Sequence, residues 1–146
     1  MASRQGIITG LKSVLSNISI VNGYNTDIGS NVDEWRLTPY SESDLPVIEI
    51  RDESCSITDG RNNVDNYKTL SVTISCYDSV TATGATEMRL YIKDVLSAIG
   101  KDPQLSGNAL DIDVDSTSIE GSQDSDIIFS AVVNLSVGYI TNKWSD

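Results

Sequence analysis

The stretch 67–100 constrains the fold more than any other part of the chain, because its hydrophobic period changes from that of a strand to that of a helix. In residues 67–78 apolar and polar side chains alternate. The apolar set is Leu70, Val72, Ile74 and Cys76, and the polar set is Thr69, Ser71, Thr73, Ser75 and Tyr77. Since side chains alternate across a β-strand, the pattern predicts a sheet with one buried face and one solvated face.

The second part of this stretch predicts an amphipathic helix that begins near residue 83. Its apolar residues fall at helical spacing and form one stripe, which comprises Met88, Tyr91, Ile92, Val95, Leu96 and Ile99. Thr81, Thr83 and Thr86 are possible N-caps, and Gly100 stands where a glycine commonly ends a helix. We expect the stripe to pack on the apolar face of the preceding strand.

The N-terminal half predicts a second helix and two strands. The helical stripe comprises Ile7, Ile8, Leu11, Val14, Leu15 and Ile18. Ser3 is a possible cap, whereas Gly6 and Gly10 weaken the prediction because glycine disfavours a helix. Residues 32–37 favour a short edge strand, and residues 45–51 favour a strand entered through Pro46. The polar residues 52–66 are expected to form a long loop, which in a compact domain is usually functional or disordered.

The C-terminal third predicts a β-hairpin. Leu110, Ile112 and Val114 alternate with acidic residues and are expected to hold the first strand to the core. The second strand, residues 127–140, has a wholly apolar face of Ile127, Phe129, Ala131, Val133, Leu135, Val137 and Tyr139. Together the elements predict one α+β domain over residues 1–146. It is a two-layer sandwich, with a mainly antiparallel sheet and two amphipathic helices on one face.

Composition limits the function. The 146 residues carry a net charge of −11, with 21 acidic and 10 basic residues and no histidine. This balance argues against binding nucleic acid through its phosphates, which needs clustered Lys and Arg. A chain without histidine lacks the commonest general base and the commonest metal ligand, so we expect no catalytic set, metal or cofactor. No apolar run is long enough to cross a membrane.

The two cysteines do not suffice for a disulfide framework. Cys76 belongs to the apolar face of its strand, and Cys55 is expected in a polar turn. The N-terminus lacks the apolar core of a secretory signal, so we expect synthesis in a cytoplasm and both thiols reduced.

Four acidic residues are candidates for a functional face: Glu49, Asp111, Asp113 and Asp115. The three aspartates alternate with apolar residues, which predicts a row of carboxylates on a solvated strand face that an outward-facing Glu49 would join. A calcium loop beginning at Asp111 would need glycine and glutamate where the chain has Ser116 and Ser122. Paired carboxylates can hydrolyse glycosides, but no cleft is indicated, and charge runs are usually solvated faces.

Three blocks of the N-terminal half carry a family resemblance. Residues 22–29 read Asn-Gly-Tyr-Asn-Thr-Asp-Ile-Gly, residues 32–40 favour a short strand and an acidic loop, and residues 43–50 contain Leu45-Pro46 before a strand. This arrangement, with the order helix, strands, helix and strand hairpin, resembles tail terminator proteins of long-tailed bacteriophages. Neck and tail-completion proteins of related phages are similar, and the acidity of the C-terminal third departs from the pattern.

The resemblance implies a structural protein without catalytic residues. Such a subunit forms a ring, commonly a homohexamer, at the head-proximal end of the tail tube in the virion and is assembled in the host cytoplasm. Its partners would be other copies of itself, the tail tube protein and the head–tail connector or neck proteins. DNA would pass through its channel without specific binding, and no membrane is involved. The alternatives are a neck or tail-completion protein, a small histidine-free acidic hydrolase, or an adaptor that binds a basic partner.

Two sets of residues are expected to serve the ring. The four acidic candidates would line the channel, where a negative wall discourages DNA from adhering. Candidate contacts with a neighbouring subunit or the tube are Trp35, Arg36, Tyr40, Arg51, Ser56, Asp59, Arg61, Asn63, Lys143 and Trp144. The aromatic members are chosen because aromatic side chains are enriched at binding hot spots, although ordinary packing would account for them equally well.

Overall fold

The computed structural model describes residues 2–59, 64–79, 84–122 and 128–146. Its helices are α1 (Arg4–Ser16) and α2 (Gly84–Lys101). Its strands are β1 (Val32–Glu34), β2 (Val47–Asp59), β3 (Asp65–Ser79), β4 (Asp111–Ser122) and β5 (Ile128–Asn142). The strands form one sheet in the order β1-β2-β3-β5-β4, in which β1 runs parallel to β2 and the other neighbours are antiparallel.

The α+β prediction is confirmed. The central strand β3 buries Leu70, Val72, Ile74 and Cys76 on one face, as its alternation predicts. β5 buries the matching positions Ala131, Val133, Leu135, Val137 and Tyr139, whereas the predicted Ile127 lies outside the described residues. Both helices pack on this inner face, α1 near β1 and β2 and α2 over β5, and their apolar stripes complete a single core. We call the opposite side of the sheet its outer face.

The N-terminal helix begins as predicted. Ser3 caps α1 by accepting a hydrogen bond from the N–H of Gly6 at 3.0 Å. Gly10, which disfavours the helix by itself, stands where a Cβ would lie 3.0 Å from Cβ of Leu105. The glycine thus lets the segment before β4 pack closely on α1.

α2 continues past Gly100, where the sequence predicts its end. Gly100 lies inside the helix, which runs to Lys101. Pro103 ends it instead, because proline disfavours helical backbone at the residue before it, here Asp102. Of the possible N-caps, Thr81 and Thr83 lie outside the described residues.

The predicted loop at residues 52–66 is wrong, since β2 extends to Asp59 and β3 begins at Asp65. A β-bulge between Asp52 and Ser54 shifts the register. Because side chains alternate, one extra residue reverses the pattern, so Cys55 and not Ser54 is inward-facing beyond the bulge. Cys55 therefore lies in a strand and not in a turn. We call the paired strands β2 and β3 the β2–β3 arm; residues 60–63 lie outside the described residues.

Two smaller strand predictions also need correction. The edge strand at residues 32–37 ends at Glu34, because Trp35 adopts a left-handed backbone with φ of 45°. Leu110 and Val114 do not hold β4 to the core, since they are 49% and 48% exposed. β4 is the edge of the sheet, where α2 covers it only in part; Ile112 alone of the three packs against the core.

Candidate interaction surfaces

Glu49 is buried, which contradicts the expectation that it lies on a solvated face. It is on the outer face of β2 but is only 1% exposed. Its carboxylate accepts hydrogen bonds from Arg51 Nε at 2.6 Å, the Arg36 backbone N–H at 3.2 Å and the Tyr40 hydroxyl at 3.1 Å. Nor can Glu49 join the aspartate row, because β3 and β5 separate β2 from β4.

A cover segment, residues 35–46, encloses this carboxylate. The Tyr40 ring packs on Tyr77 with 5.3 Å between ring centroids, and the Arg36 guanidinium lies 4.6 Å from the Tyr40 ring. Burial and the adjacent Glu49 raise the pKa of Tyr40. Hydrogen bonds from the backbone and side chain of Ser41, and then from Arg36, lower the pKa of Asp44 from 3.8 to about 2. Arg36 and Tyr40, predicted as contacts with other subunits, thus make contacts within the chain.

Trp35 is anchored and half-exposed. Its indole Nε1 donates to Oδ1 of Asp52 at 2.6 Å, while Arg4 Nε lies 2.5 Å from Oδ2 of the same carboxylate. Burial raises the pKa of Asp52, but these hydrogen bonds outweigh it and the net effect is a lowered pKa. The Arg51 guanidinium lies 5.3 Å from the Trp35 ring. The exposed part of Trp35 remains able to contact a partner.

The C-terminal residues cover a buried lysine that the sequence interpretation missed. Lys68 is inward-facing on β3, and its Nζ donates to the carbonyl oxygen of Ser145 at 2.6 Å and to Asp146 Oδ1 at 3.4 Å. The Tyr139 hydroxyl donates to the same carboxylate at 2.8 Å. Trp144, which precedes these two anchored residues, is 88% exposed. The sequence does indicate that Lys68 is buried, because it alternates in step with the apolar residues of β3 and so lies on the same face of the strand.

The three aspartates do share the outer side of β4. The Tyr67 hydroxyl donates to Asp111 at 3.4 Å, and the Ser136 hydroxyl donates to Asp115 at 2.6 Å. Asp113 pairs in register with Ser136 and is exposed. The pKa of Tyr67 is raised by burial and by the adjacent Asp111 and Asp113. The three carboxylates therefore form an acidic strip on the outer side of the edge strand β4.

A buried carboxylate holds the segment that carries the family resemblance. Asp94 of α2 is 1% exposed and accepts from the backbone and side-chain nitrogens of Asn25 at 3.1 and 2.9 Å. The Thr26 hydroxyl donates to its second oxygen at 2.6 Å. Sequence reasoning missed Asp94, although it lies three residues after Tyr91 and therefore next to the apolar stripe.

Of the other residues predicted to contact a subunit or the tube, some are exposed and some lie outside the described residues. Ser56 is exposed on β2, Asp59 ends that strand, and Lys143 is exposed with its backbone N–H donating to Val64 O at 2.8 Å. Arg61 and Asn63 lie outside the described residues. Cys55 and Cys76 are free thiols, and burial raises the pKa of Cys76 to about 12.

The described ranges contain neither a cluster of metal-ligating side chains nor a helix that could span a membrane. Among residues 2–59, 64–79, 84–122 and 128–146, no group of three or more His, Cys, Asp or Glu could hold a metal ion. No helix in the described part of the chain is both long and apolar enough to span a membrane. No protein-family model matches the sequence, and no curated protein matches it either.

Proposed function

We propose that the chain is a structural subunit of a bacteriophage virion. Copies of it form a ring, commonly a hexamer, that caps the head-proximal end of the tail tube, stops tube polymerisation and docks the head connector. The support is the resemblance of residues 22–50 to tail terminator proteins, together with an α+β architecture of the expected element order.

The observation that carries the proposal is the β2–β3 arm. β2 and β3 have 13 and 15 residues, so the paired strands span roughly 40 Å within the sheet. β1 covers β2 only opposite Ile48–Ile50. Beyond the bulge, no strand among the described residues pairs with the outer edge of β2, and Ile57 there is 59% exposed. An open strand edge with an exposed apolar side chain suits contact with a neighbouring subunit, because such edges readily accept another backbone.

The acidic strip on β4 supports a role next to DNA that does not involve binding it. Adhesion of DNA requires cations that displace its counterions, and the strip carries carboxylates instead. We therefore propose that Asp111, Asp113 and Asp115 line the channel; Glu49 does not belong to this set because it is buried.

Assembly tests this proposal directly. Mass photometry of the purified chain, alone and with tail tube protein, should detect a closed oligomer in at least one condition. Ile57→Glu should reduce assembly, because it places a charge at the proposed contact. Val21→Glu is the matched control, since Val21 is 94% exposed and far from the arm in sequence. A monomer under both conditions, or equal assembly by the two variants, would contradict the proposal.

A neck or tail-completion role remains the nearest alternative, and binding to the head connector without binding to the tube would favour it. No observation favours the acidic hydrolase. The acidic residue that would have completed a carboxylate pair, Glu49, is enclosed by the cover segment, and two strands, β3 and β5, separate it from β4.

A further inference from the structure

We infer that the outer edge of β4 and the adjacent side of α2 form a docking groove for an extended segment of another protein, one that alternates apolar and basic residues. The inference goes beyond the proposed function and does not depend on ring formation. It rests on an open strand edge, a half-covered apolar wall and a strip of carboxylates, which all lie on the same strand.

The first element is the strand edge. β5 pairs with one edge of β4, and no strand in the described part of the chain pairs with the other. An edge strand directs N–H and C=O groups outward, so an extended segment can add to the sheet. A bulge between Val114 and Ser116 bends this edge, and a partner strand has to follow the bend. The bend therefore restricts pairing to segments whose backbone follows it and whose side chains fit against β4.

The second element is the apolar side of β4. Val114 and Ile119 pair in register with Leu135 and Ala131, which are buried on the inner face. Yet Val114 and Ile119 are themselves 48% and 37% exposed. Their side chains therefore stand on the inner side of the sheet without full cover.

The opposite wall of the groove is α2. Ile92 and Leu96 are only half-buried. Helical periodicity puts them on the side of α2 away from Asp94, which bonds to the segment that follows α1. Since α1 packs at the β1–β2 end of the sheet, the far side of α2 faces β4. Inward-pointing apolar side chains of an added strand would fill the space between the two walls.

The third element is charge. The outer side of β4 carries Asp111, Asp113 and Asp115, and Glu120 is also exposed on this strand. Side chains of an added strand that point to the outer face would lie beside these carboxylates. Opposite charges across neighbouring strands are stabilising and like charges are destabilising. The outward residues of the partner segment are therefore basic, while its inward residues are apolar.

The strands of a second copy of this chain do not supply that pattern. Its own strands supply one basic residue on β2, Arg51, and one on β3, Lys68, which is buried; β1, β4 and β5 contain none. Pairing two β4 edges would place carboxylates beside carboxylates. We therefore assign the groove to a segment of a different protein.

A synthetic peptide tests the groove. The probe is a fluorescein-labelled peptide of alternating valine and lysine, and the control peptide has the same composition in two blocks. We expect the alternating peptide to bind more tightly, by fluorescence anisotropy, and to lose affinity as salt is added. Hydrogen exchange should show protection of β4 amides in the complex. Equal binding of the two peptides, or no binding, would overturn the inference.

Variants locate the binding. Val114→Lys should lower the affinity for the alternating peptide about tenfold or more. The new side chain puts a charge into the apolar wall, and this charge has the same sign as the lysines of the peptide. Val21→Lys, a change of equal charge at an exposed position outside the groove, should leave binding unchanged. Asp113→Asn should weaken it about two- to five-fold. If Val114→Lys fails to fold by circular dichroism, Ile119→Lys takes its place. Equal loss in the groove variant and the Val21 control would overturn the proposal, as would a wild-type dimer that the groove variant abolishes.

Discussion

At the residue scale, three buried charged groups hold segments that have little regular structure. Glu49 holds the cover segment, Asp94 holds the segment around Asn25, and Lys68 holds the C-terminal residues. Among the described residues no buried side-chain polar atom lacks a hydrogen-bond partner. Since leaving a buried charge without partners costs several kcal/mol, each contact favours one position of its segment.

A single substitution, Gly29→Ala, is expected to change the stability of the fold markedly. Gly29→Ala should lower the free energy of unfolding by about 1–3 kcal/mol or more, because overpacking forces backbone shifts. An added Cβ would lie 2.7 Å from the carbonyl oxygen of Ile18 and closer still to that of Leu15. Both neighbours are backbone atoms and cannot rotate away. Urea denaturation followed by circular dichroism measures the change.

Gly100→Ala is the matched control. Gly100 lies inside α2, where an added Cβ meets nothing within 4 Å. Alanine should therefore stabilise the protein by about 0.5–1 kcal/mol, because it favours the helix. A Gly29→Ala variant as stable as the wild type would show that the turn after α1 can move, contrary to the close packing described above.

At the element scale, the sequence predicts correctly those helices and strands in which the hydrophobic residues keep one period from end to end. β3 and α2 meet this condition, so their buried faces could be read from spacing alone. The far half of β2 does not, because the bulge at Asp52 and Ser54 reverses the parity and the side chains there are largely polar. The covering of Glu49 depends on contacts between residues 36, 40 and 51, which spacing along one strand does not reveal. Lys68 and Asp94 could have been recognised as charges at apolar positions.

The cover segment should respond to acid. Its Asp44 has a pKa lowered to about 2, so the folded segment favours the charged carboxylate. That contribution is complete above the ordinary value of 3.8 and is lost as the pH falls through about 2. Nuclear magnetic resonance of the Asp44 carboxyl carbon and the Tyr40 ring protons should therefore show a shared transition near pH 2. A carboxyl midpoint near 3.8, or an Asp44→Asn variant whose Tyr40 signals keep the same transition, would contradict this.

At the scale of the whole molecule, the chain has a large excess of acidic residues, and some of them are concentrated on one strand. The chain carries 21 acidic residues against 10 basic ones, and β4 gathers four of the acids with no base. The same strip serves two proposals in different ways. In the proposed ring it would repel DNA, and in the proposed groove it would select basic side chains of a docked segment. The two roles can be separated, because docking also needs the apolar wall.

Changing Asp111, Asp113 and Asp115 together to Lys tests the channel role. The monomer should stay folded because Asp113 is open to solvent, while Asp111 and Asp115 lose only single hydrogen bonds from Tyr67 and Ser136. Ring formation should persist, since the arm is unchanged. DNA release from assembled particles should become slower at low salt and return toward the wild-type rate as salt screens the new cations. The measurement is ejection kinetics across a salt series, with the triple change to Asn as the control for removal of negative charge alone. Wild-type kinetics for the Lys variant at low salt would exclude the strip from the channel and leave it as a solvated, partner-selecting edge.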